Sequence, residues 1–312
     1  MVTELMTGSG LLLRRHAVGA GYDDNYLARL VRAKAICRIR QGAYAKADIW
    51  DGLDDRGRHV LLSEAVVTQY PEDIALSHGS AVIRHEGPDY GLDLSQVHVT
   101  HLDGKGGGRR SACVVHHEGR CAVLDATRHS EHWLMSPART VLDVAMQYGL
   151  EVGVVVADDF IRRRLTSAEE LWQVYEAVKD WPGALILRLV IMLATGKSES
   201  VGETLGFLLF RKQRLPKPEQ QFEVSHPDGN LAGRTDWAWP ELKLLGEFDG
   251  KTKYLAHRRP GETVADAVLR EKRREDLLRE LTGWMMIRLV WADLFQPERT
   301  AKRVLAAMAR AA

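Results

Sequence analysis

Three carboxylates and a lysine in the last third of the chain, with two glutamates shortly before it, have the types and spacing to do chemistry. Asp236 lies in the run GRTDWAW. Glu247, Asp249 and Lys251 lie in the run LKLLGEFDGK, which follows across Pro240-Glu241. Alternation along a strand puts Glu247 and Asp249 on one face, with Lys251 beside them if the strand persists past Gly250. A hairpin would bring Asp236 and Glu247 to the same level. Glu203, with Glu199 one helical turn before it, adds acid from a preceding helix. Phosphodiester hydrolysis needs a divalent ion to bind a phosphate oxygen and activate water. Mg2+, or Mn2+ in its place, takes a few carboxylates plus waters. A lysine can position or deprotonate that water and offset growing negative charge. Three carboxylates on two strands and a helix, Asp236, Glu247 and a glutamate at 199 or 203, with one lysine, are enough. The alternative is a solvated edge hairpin whose charges blunt aggregation. Acids set between Leu245 and Phe248 on a central strand argue against it, because their convergence is costly unless they bind something.

The elements that would position these groups are readable. Residues 184–213 look helical with a joint at Gly196. Phe222–Ser225 looks like a strand, GRTDWAW and LKLLGEF pair as a hairpin, and residues 262–281 form a helix stopped by Gly283. Trp284–Trp291 is a buried strand and 296–311 a terminal helix. Upstream, Ser136-Pro137 opens a helix that stops at Gly149, helices cover 152–164 and 167–179, and Trp181-Pro182-Gly183 is a break. Val97–His101 and Cys113–His117 read as short strands around a Gly-rich loop, and 60–68 as a helix after a polar linker or long turn at 51–58. Arg139 and Asp143 can pair one turn apart, a scaffold feature. Cys113, His116, His117 and Cys121 have a metal-like look, but they lack paired C-x-x-C knuckles, so core cysteines with surface histidines is the default.

The first 48 residues carry Arg14, Arg15, Arg29, Arg32, Lys34, Arg38, Arg40 and Lys46 against Glu4, Asp23, Asp24 and Asp48. They read as a helix at Leu11–Val18, a turn at Gly19 and Gly21, a second helix, and a hairpin with Gly42 at its tip. Arg29 and Arg32 lie off the apolar stripe of the second helix, and Arg38 and Arg40 share a face of the hairpin. A helix of this kind can enter a major groove while a basic hairpin grips phosphates. The bland alternative is a small helical adaptor with solvated arginines.

The whole chain has 312 residues, 43 Lys+Arg against 42 Asp+Glu, and three cysteines. That excludes a histone-like polycation and a disulfide framework, and it favours a reducing compartment. No apolar run reaches the ~20 residues of a membrane span, and the N-terminus lacks a signal-peptide pattern. A cytoplasmic protein that does not enter membranes is the expectation.

Two resemblances follow from these motifs. Arg38–Tyr44 (RIRQGAY) resembles the wing of the winged helix-turn-helix that opens AbiEi-family antitoxins of type IV toxin–antitoxin systems. LSHGSA at 76–81, VHVT at 97–100 and SPARTVLD at 136–143 resemble that family's central part. SESVGE at 198–203, GRTDWAWP at 233–240, GEFDGK at 246–251, EKRRED at 271–276 and the strand after Gly283-Trp284 resemble the PD-(D/E)XK superfamily, in its branch near very-short-patch-repair endonucleases. The resemblance implies a mixed α/β fold in three parts: a winged helix-turn-helix at 1–48, an α-rich AbiEi-like segment at 59–180, and a nuclease-like domain at 184–312 whose central mixed sheet is flanked by helices.

It also implies site roles: Glu203, Asp236 and Glu247 hold the metal, and Asp249 or Lys251 tunes the water. Glu203 matches the acid of the first core helix, with Glu199 as substitute. Asp236 matches the metal aspartate, and Glu247 the second acid. The last motif has two registers, Glu247-Phe248-Asp249 or Asp249-Gly250-Lys251. Lys272 and Arg273 replace or assist the lysine and contact phosphate, and Gly206-Phe207 stands where the family has an arginine. The implied activity is a Mg2+-dependent DNA endonuclease serving phage defence or repair. The rival is a non-catalytic antitoxin-like repressor that binds DNA and a cognate nucleotidyltransferase toxin. A homodimer fits a repressor, although no heptad seam marks one.

Overall fold

The structure, a computed structural model, describes residues 2–70, 74–103, 113–118, 121–122, 125–129, 132–250 and 262–311. It is a mixed α/β protein whose sheets are flanked by helices. The chain divides into two compact units, residues 1–160 with 164–193 and residues 161–163 with 194–312. The first unit therefore holds both the N-terminal basic segment and the middle segment, together with residues 184–193. Among the described residues no helix is long and apolar enough to cross a membrane.

Unit 1 begins with β1 (Leu11–Leu13), α1 (Arg14–Gly19), α2 (Asp24–Arg32), β2 (Ile36–Arg40) and β3 (Ala43–Lys46). The helix expected over Leu11–Val18 is split. Leu11–Leu13 pairs antiparallel with β3, and all three successive leucines are buried, which a strand covered on both faces permits and an amphipathic helix does not. Asp23 caps α2 by accepting from the Tyr26 N–H at 2.7 Å. The β2–β3 hairpin turns at Gly42, whose φ of +75° suits glycine.

Next come α3 (Ala47–Gly52), α4 (Asp55–Gln69), β4 (Ile74–Leu76), α5 (His78–Arg84), β5 (Val97–His101), β6 (Val114–His117), β7 (Ala126–His129) and β8 (His132–Met135). The polar run at 51–58 is no linker. Asp54 accepts from the Gly57 N–H at 2.8 Å and caps α4. The strands form one five-stranded sheet in the order β6-β5-β4-β8-β7, so this segment is richer in strand than its sequence suggests. The expected Gly-rich loop falls mostly outside the described residues. Then α6 (Pro137–Tyr148), α7 (Leu150–Arg162), α8 (Ala168–Val178) and α9 (Leu187–Leu193) complete the unit. Arg139 on α6 is buried and bonds Asp143 at 2.8 Å and Asp125 at 2.9 Å.

Unit 2 comprises α10 (Val201–Lys212), β9 (Glu219–Ser225), β10 (Leu231–Trp239), β11 (Leu244–Asp249), α11 (Val264–Thr282), β12 (Met285–Val290), α12 (Trp291–Leu294) and α13 (Pro297–Ala311). The sheet order is β12-β11-β10-β9, antiparallel except for the parallel β11–β12 pair. Alternation sorts its residues. Trp237, Trp239 and Phe248 face a core shared with α10 and α13, while Ala238 and Leu245 face Leu278 of α11. Helix α10 lies close on the sheet because Gly202 and Gly206 carry no side chain. A Cβ at Gly206 would meet the Trp237 ring at 2.5 Å, and one at Gly202 would run into the Phe248 ring.

Candidate functional site

The β10–β11 ladder brings the acids together. Its pairing runs from Trp239↔Leu244 to Trp237↔Gly246, so the next step puts Asp236 opposite Glu247. There the side chain takes over from the backbone: the Phe248 N–H donates to the Asp236 carboxylate at 2.7 Å. Both acids belong to the sheet face that α11 covers. Above them is a cleft of ≈ 390 Å³ lined by Glu199, Asp236, Glu247, Asp249 and Glu271 and by Arg234, Arg270, Arg274 and Arg288. Ala267, Arg270, Glu271 and Arg274 reach it from one face of α11, at the three- and four-residue spacing of a helix.

Glu247 is the most buried charge lining the cleft, 5% exposed. Burial pushes its carboxyl above the ordinary glutamate range. Arg274 opposes that shift, and the charges of Glu271 and Asp236 add to it. Arg274 bonds Glu247, Glu271 at 2.6 Å and the Arg234 carbonyl at 2.9 Å. Burial alone would lower the Arg274 pKa; the bonds and charges of Glu271 and Glu247 reverse this and raise it. Arg288, the strand neighbour of Glu247 on β12, lies 3.4 Å from Glu247, 3.6 Å from Asp249 and 2.8 Å from Glu275. Glu199 pairs with Arg234. The cleft is thus a lattice of alternating charge rather than a bare acidic hole.

Not every expected residue reaches it. Glu203 is 1% exposed and turns back on its own helix end. It accepts from the Glu199 N–H at 2.8 Å, the Ser200 hydroxyl at 2.8 Å and the Gln221 amide at 3.0 Å. Glu199, the substitute, lines the cleft instead. Lys251 lies outside the described residues. Lys272 and Arg273 are exposed on α11, away from the face that carries Arg270 and Arg274. Those two arginines, Arg288, Arg234 and Glu271 are charged cleft residues that the sequence reading did not single out for the site. The signal was there for those on α11, since Arg270, Glu271 and Arg274 share a helical face with Ala267, a residue buried against the fold. Arg288 needed the parallel register of β12. Among the described residues, the group of three or more ligand-type side chains with ligand atoms within 4.8 Å of one another is His78, His98 and His117, not an acidic set.

Of the N-terminal arginines, Arg29, Arg32 and Arg38 are exposed. Arg29 rests over the Tyr26 ring at 5.3 Å. Arg40 is tucked in: its guanidinium lies 5.7 Å from the Tyr70 ring, with Nε and Nη1 buried. Cys113 and Cys121 pack against the core of the five-stranded sheet, as expected of core cysteines, but His116 and His117 are half-buried rather than on the surface.

No family model matches this chain. Two relatives from Mycobacterium tuberculosis, named "Uncharacterized protein Rv2248" (strain H37Rv) and "Uncharacterized protein MT2308" (strain CDC 1551), are each 27% identical over 236 residues. The match covers 75% of this chain and 83% of theirs.

Proposed function

We propose that unit 2 is a divalent-metal-dependent DNA endonuclease and that unit 1 helps hold the DNA. The observation that carries this is the pair Asp236 and Glu247, cross-strand neighbours opening into one cleft lined by four arginines. Two hard oxygen donors are what Mg2+ or Mn2+ asks of a protein, the rest of its shell being water and phosphate. The donor set fits, with Asp249 beside it. Such an ion supplies Lewis-acid polarisation of the phosphate and a more acidic water. Arg274 has other acceptors in Glu271 and the Arg234 carbonyl, so it can release Glu247 without being left unpaired. Its planar fork, with those of Arg270, Arg234 and Arg288, suits phosphate oxygens and the charge that grows on them. Glu203 holds the start of α10 and the Gln221 side chain in place. On the other unit, exposed Arg29, Arg32 and Arg38 suit backbone and groove contacts.

The test is cleavage of supercoiled plasmid and of short duplex, single-stranded and mismatched DNA with Mg2+, Mn2+ or EDTA. Metal-dependent cutting by wild type that is lost in Asp236→Asn supports the reading. One observation favours a second reading: Arg274 and Arg288 already balance Glu247. In that reading the chain is a non-catalytic, antitoxin-like repressor that binds DNA, and a nucleotidyltransferase toxin, through a nuclease-type scaffold. Tight DNA binding with no cutting on any substrate would favour it.

A further inference from the structure

We propose that unit 1 carries a second and chemically different ion site: His78, His98 and His117 bind one late first-row divalent transition ion, Zn2+ or its surrogate Co2+. The sheet builds it. Strands β5 and β6 run parallel with His98 opposite Val115 and Thr100 opposite His117. Alternation puts His98, Thr100 and His117 on one face and His101 and His116 on the other. His78 joins the first set from the start of α5. One ligand nitrogen from each of the three lies within 4.8 Å of the others.

The geometry is close to that of a bound site. His98 Nδ1 and His117 Nε2 are 2.8 Å apart. Zn–N bonds of about 2.0–2.1 Å in a tetrahedron set ligand nitrogens roughly 3.3 Å apart, so this pair needs to open by a few tenths of an ångström. The His78 and His117 rings stack with centroids 3.6 Å apart and must fan out to share an ion. His117 has the room: it is half-buried and sits on the edge strand of its sheet.

Three further features point the same way. The outer nitrogens already have partners, His98 Nε2 with the Tyr148 hydroxyl at 3.2 Å and His78 Nδ1 with the Ser77 hydroxyl at 3.0 Å. Such outer contacts orient ligating imidazoles. Gly79 gives Tyr148 its place, since a Cβ there would sit 3.3 Å from the tyrosine oxygen. His78 holds a φ of +49°, a left-handed backbone that a non-glycine residue adopts at a cost and that clusters at functional sites. Finally, Thr100 is 2% exposed, and its hydroxyl, on the same strand face, has no hydrogen-bond partner. Three imidazoles are borderline-soft donors that select zinc, cobalt, nickel or copper over Mg2+, and they leave a fourth position to water. The opposite face is an internal control. There His101, His116 and Tyr70 form a hydrogen-bonded chain with only two imidazoles.

The experiment uses tag-free, chelator-treated full-length chain titrated with Co2+ and then Zn2+. The readouts are the visible d–d absorption of cobalt and calorimetric stoichiometry. One tightly held, histidine-dependent ion per chain is expected, with Zn2+ displacing Co2+, and any ion at the carboxylate cleft of unit 2 binds more weakly and is counted separately. His117→Gln and His98→Gln should weaken binding by about 100-fold or more, and Tyr148→Phe by roughly 10-fold with the cobalt spectrum unchanged. His116→Gln and Asp236→Asn should leave the affinity of this tight site unchanged. Melting curves identify variants that fail to fold, and His117→Gln, half-buried on an edge strand, is the decisive one. No stoichiometric ion on folded wild type, binding untouched in folded His117→Gln, or binding lost in Asp236→Asn would each overturn the proposal.

Discussion

The Asp236 carboxylate does two jobs that two substitutions separate. It faces the cleft, and it accepts the Phe248 N–H at 2.7 Å where the β10–β11 backbone ladder ends. A hydrogen bond to a charged group contributes about 1.5–3 kcal/mol, and a neutral one about 0.5–1.5. Asp236→Asn keeps an acceptor oxygen and should lose about 1 kcal/mol. Asp236→Ala leaves a part-buried N–H without a partner and should lose about 2 kcal/mol or more. For a unit of this size each kcal/mol moves the melting midpoint by about 3–5 °C. The expected drops are therefore about 3–5 °C for Asn and about 6–10 °C for Ala, read from near-ultraviolet circular dichroism of the Trp237 and Trp239 core. Cleavage should behave differently. Both variants lose the charge that would hold the ion, a loss of several kcal/mol in the transition state, so both should fall by about 10²–10³-fold. Asp236→Asn cutting within about threefold of wild type would remove the carboxylate from the chemistry. Equal stability of the two variants would remove its part in closing the ladder.

Other outcomes are as specific. Asp143→Ala removes an acid bonded to the buried Arg139, which keeps Asp125 at 2.9 Å, and should cost about 1.5–3 kcal/mol in urea unfolding; a loss under 1 kcal/mol would contradict the burial argument. His59 is buried, with Nδ1 2.9 Å from the Leu94 carbonyl and Nε2 3.0 Å from the Ser80 hydroxyl. Burial holds its pKa below 6.5. Below that pH the unfolded chain takes up a proton that folded His59 refuses, so its contribution is present above 6.5 and is lost as the pH falls through the folded pKa. Unit 1 should lose stability on acidification through that window, and His59→Gln should flatten the slope. Gly206→Ala gains up to about 1 kcal/mol in helix propensity but collides with the Trp237 ring; overpacking costs about 1–3 kcal/mol, so the net sign in a melting experiment should be destabilising.

How much of this was legible depended on whether the signal was local. The β10–β11 hairpin, the Gly283 stop of α11 and the Ser136-Pro137 start of α6 were readable because each is written in adjacent residues. Asp236 opposite Glu247 followed from the hairpin alone. The triple leucine at 11–13 was not legible, since three apolar residues suit helix and strand alike and only the partner β3 decides. Arg288 and Arg274 were missed as partners of Glu247 because the contacts span 41 and 27 positions. Glu203 was read as a cleft acid because its type and place fit, yet its position at the third residue of α10 lets it bond its own helix start first. His78 gave no warning, being an isolated histidine twenty positions from His98.

The two glycines of α10 tie the history of one side of the sheet to the other. Residues 202 and 206 are fitted to the rings of Phe248 and Trp237, and these rings flank, in sequence, the acids of the cleft on the opposite face. A lineage that enlarges either glycine has to trim the matching ring or let the helix lift, and lifting it would shift the strands that carry Asp236 and Glu247. Across diverging sequences, positions 202 and 248 should therefore change as a pair, as should 206 and 237. A double substitution such as Gly202→Ala with Phe248→Leu should survive where Gly202→Ala alone does not.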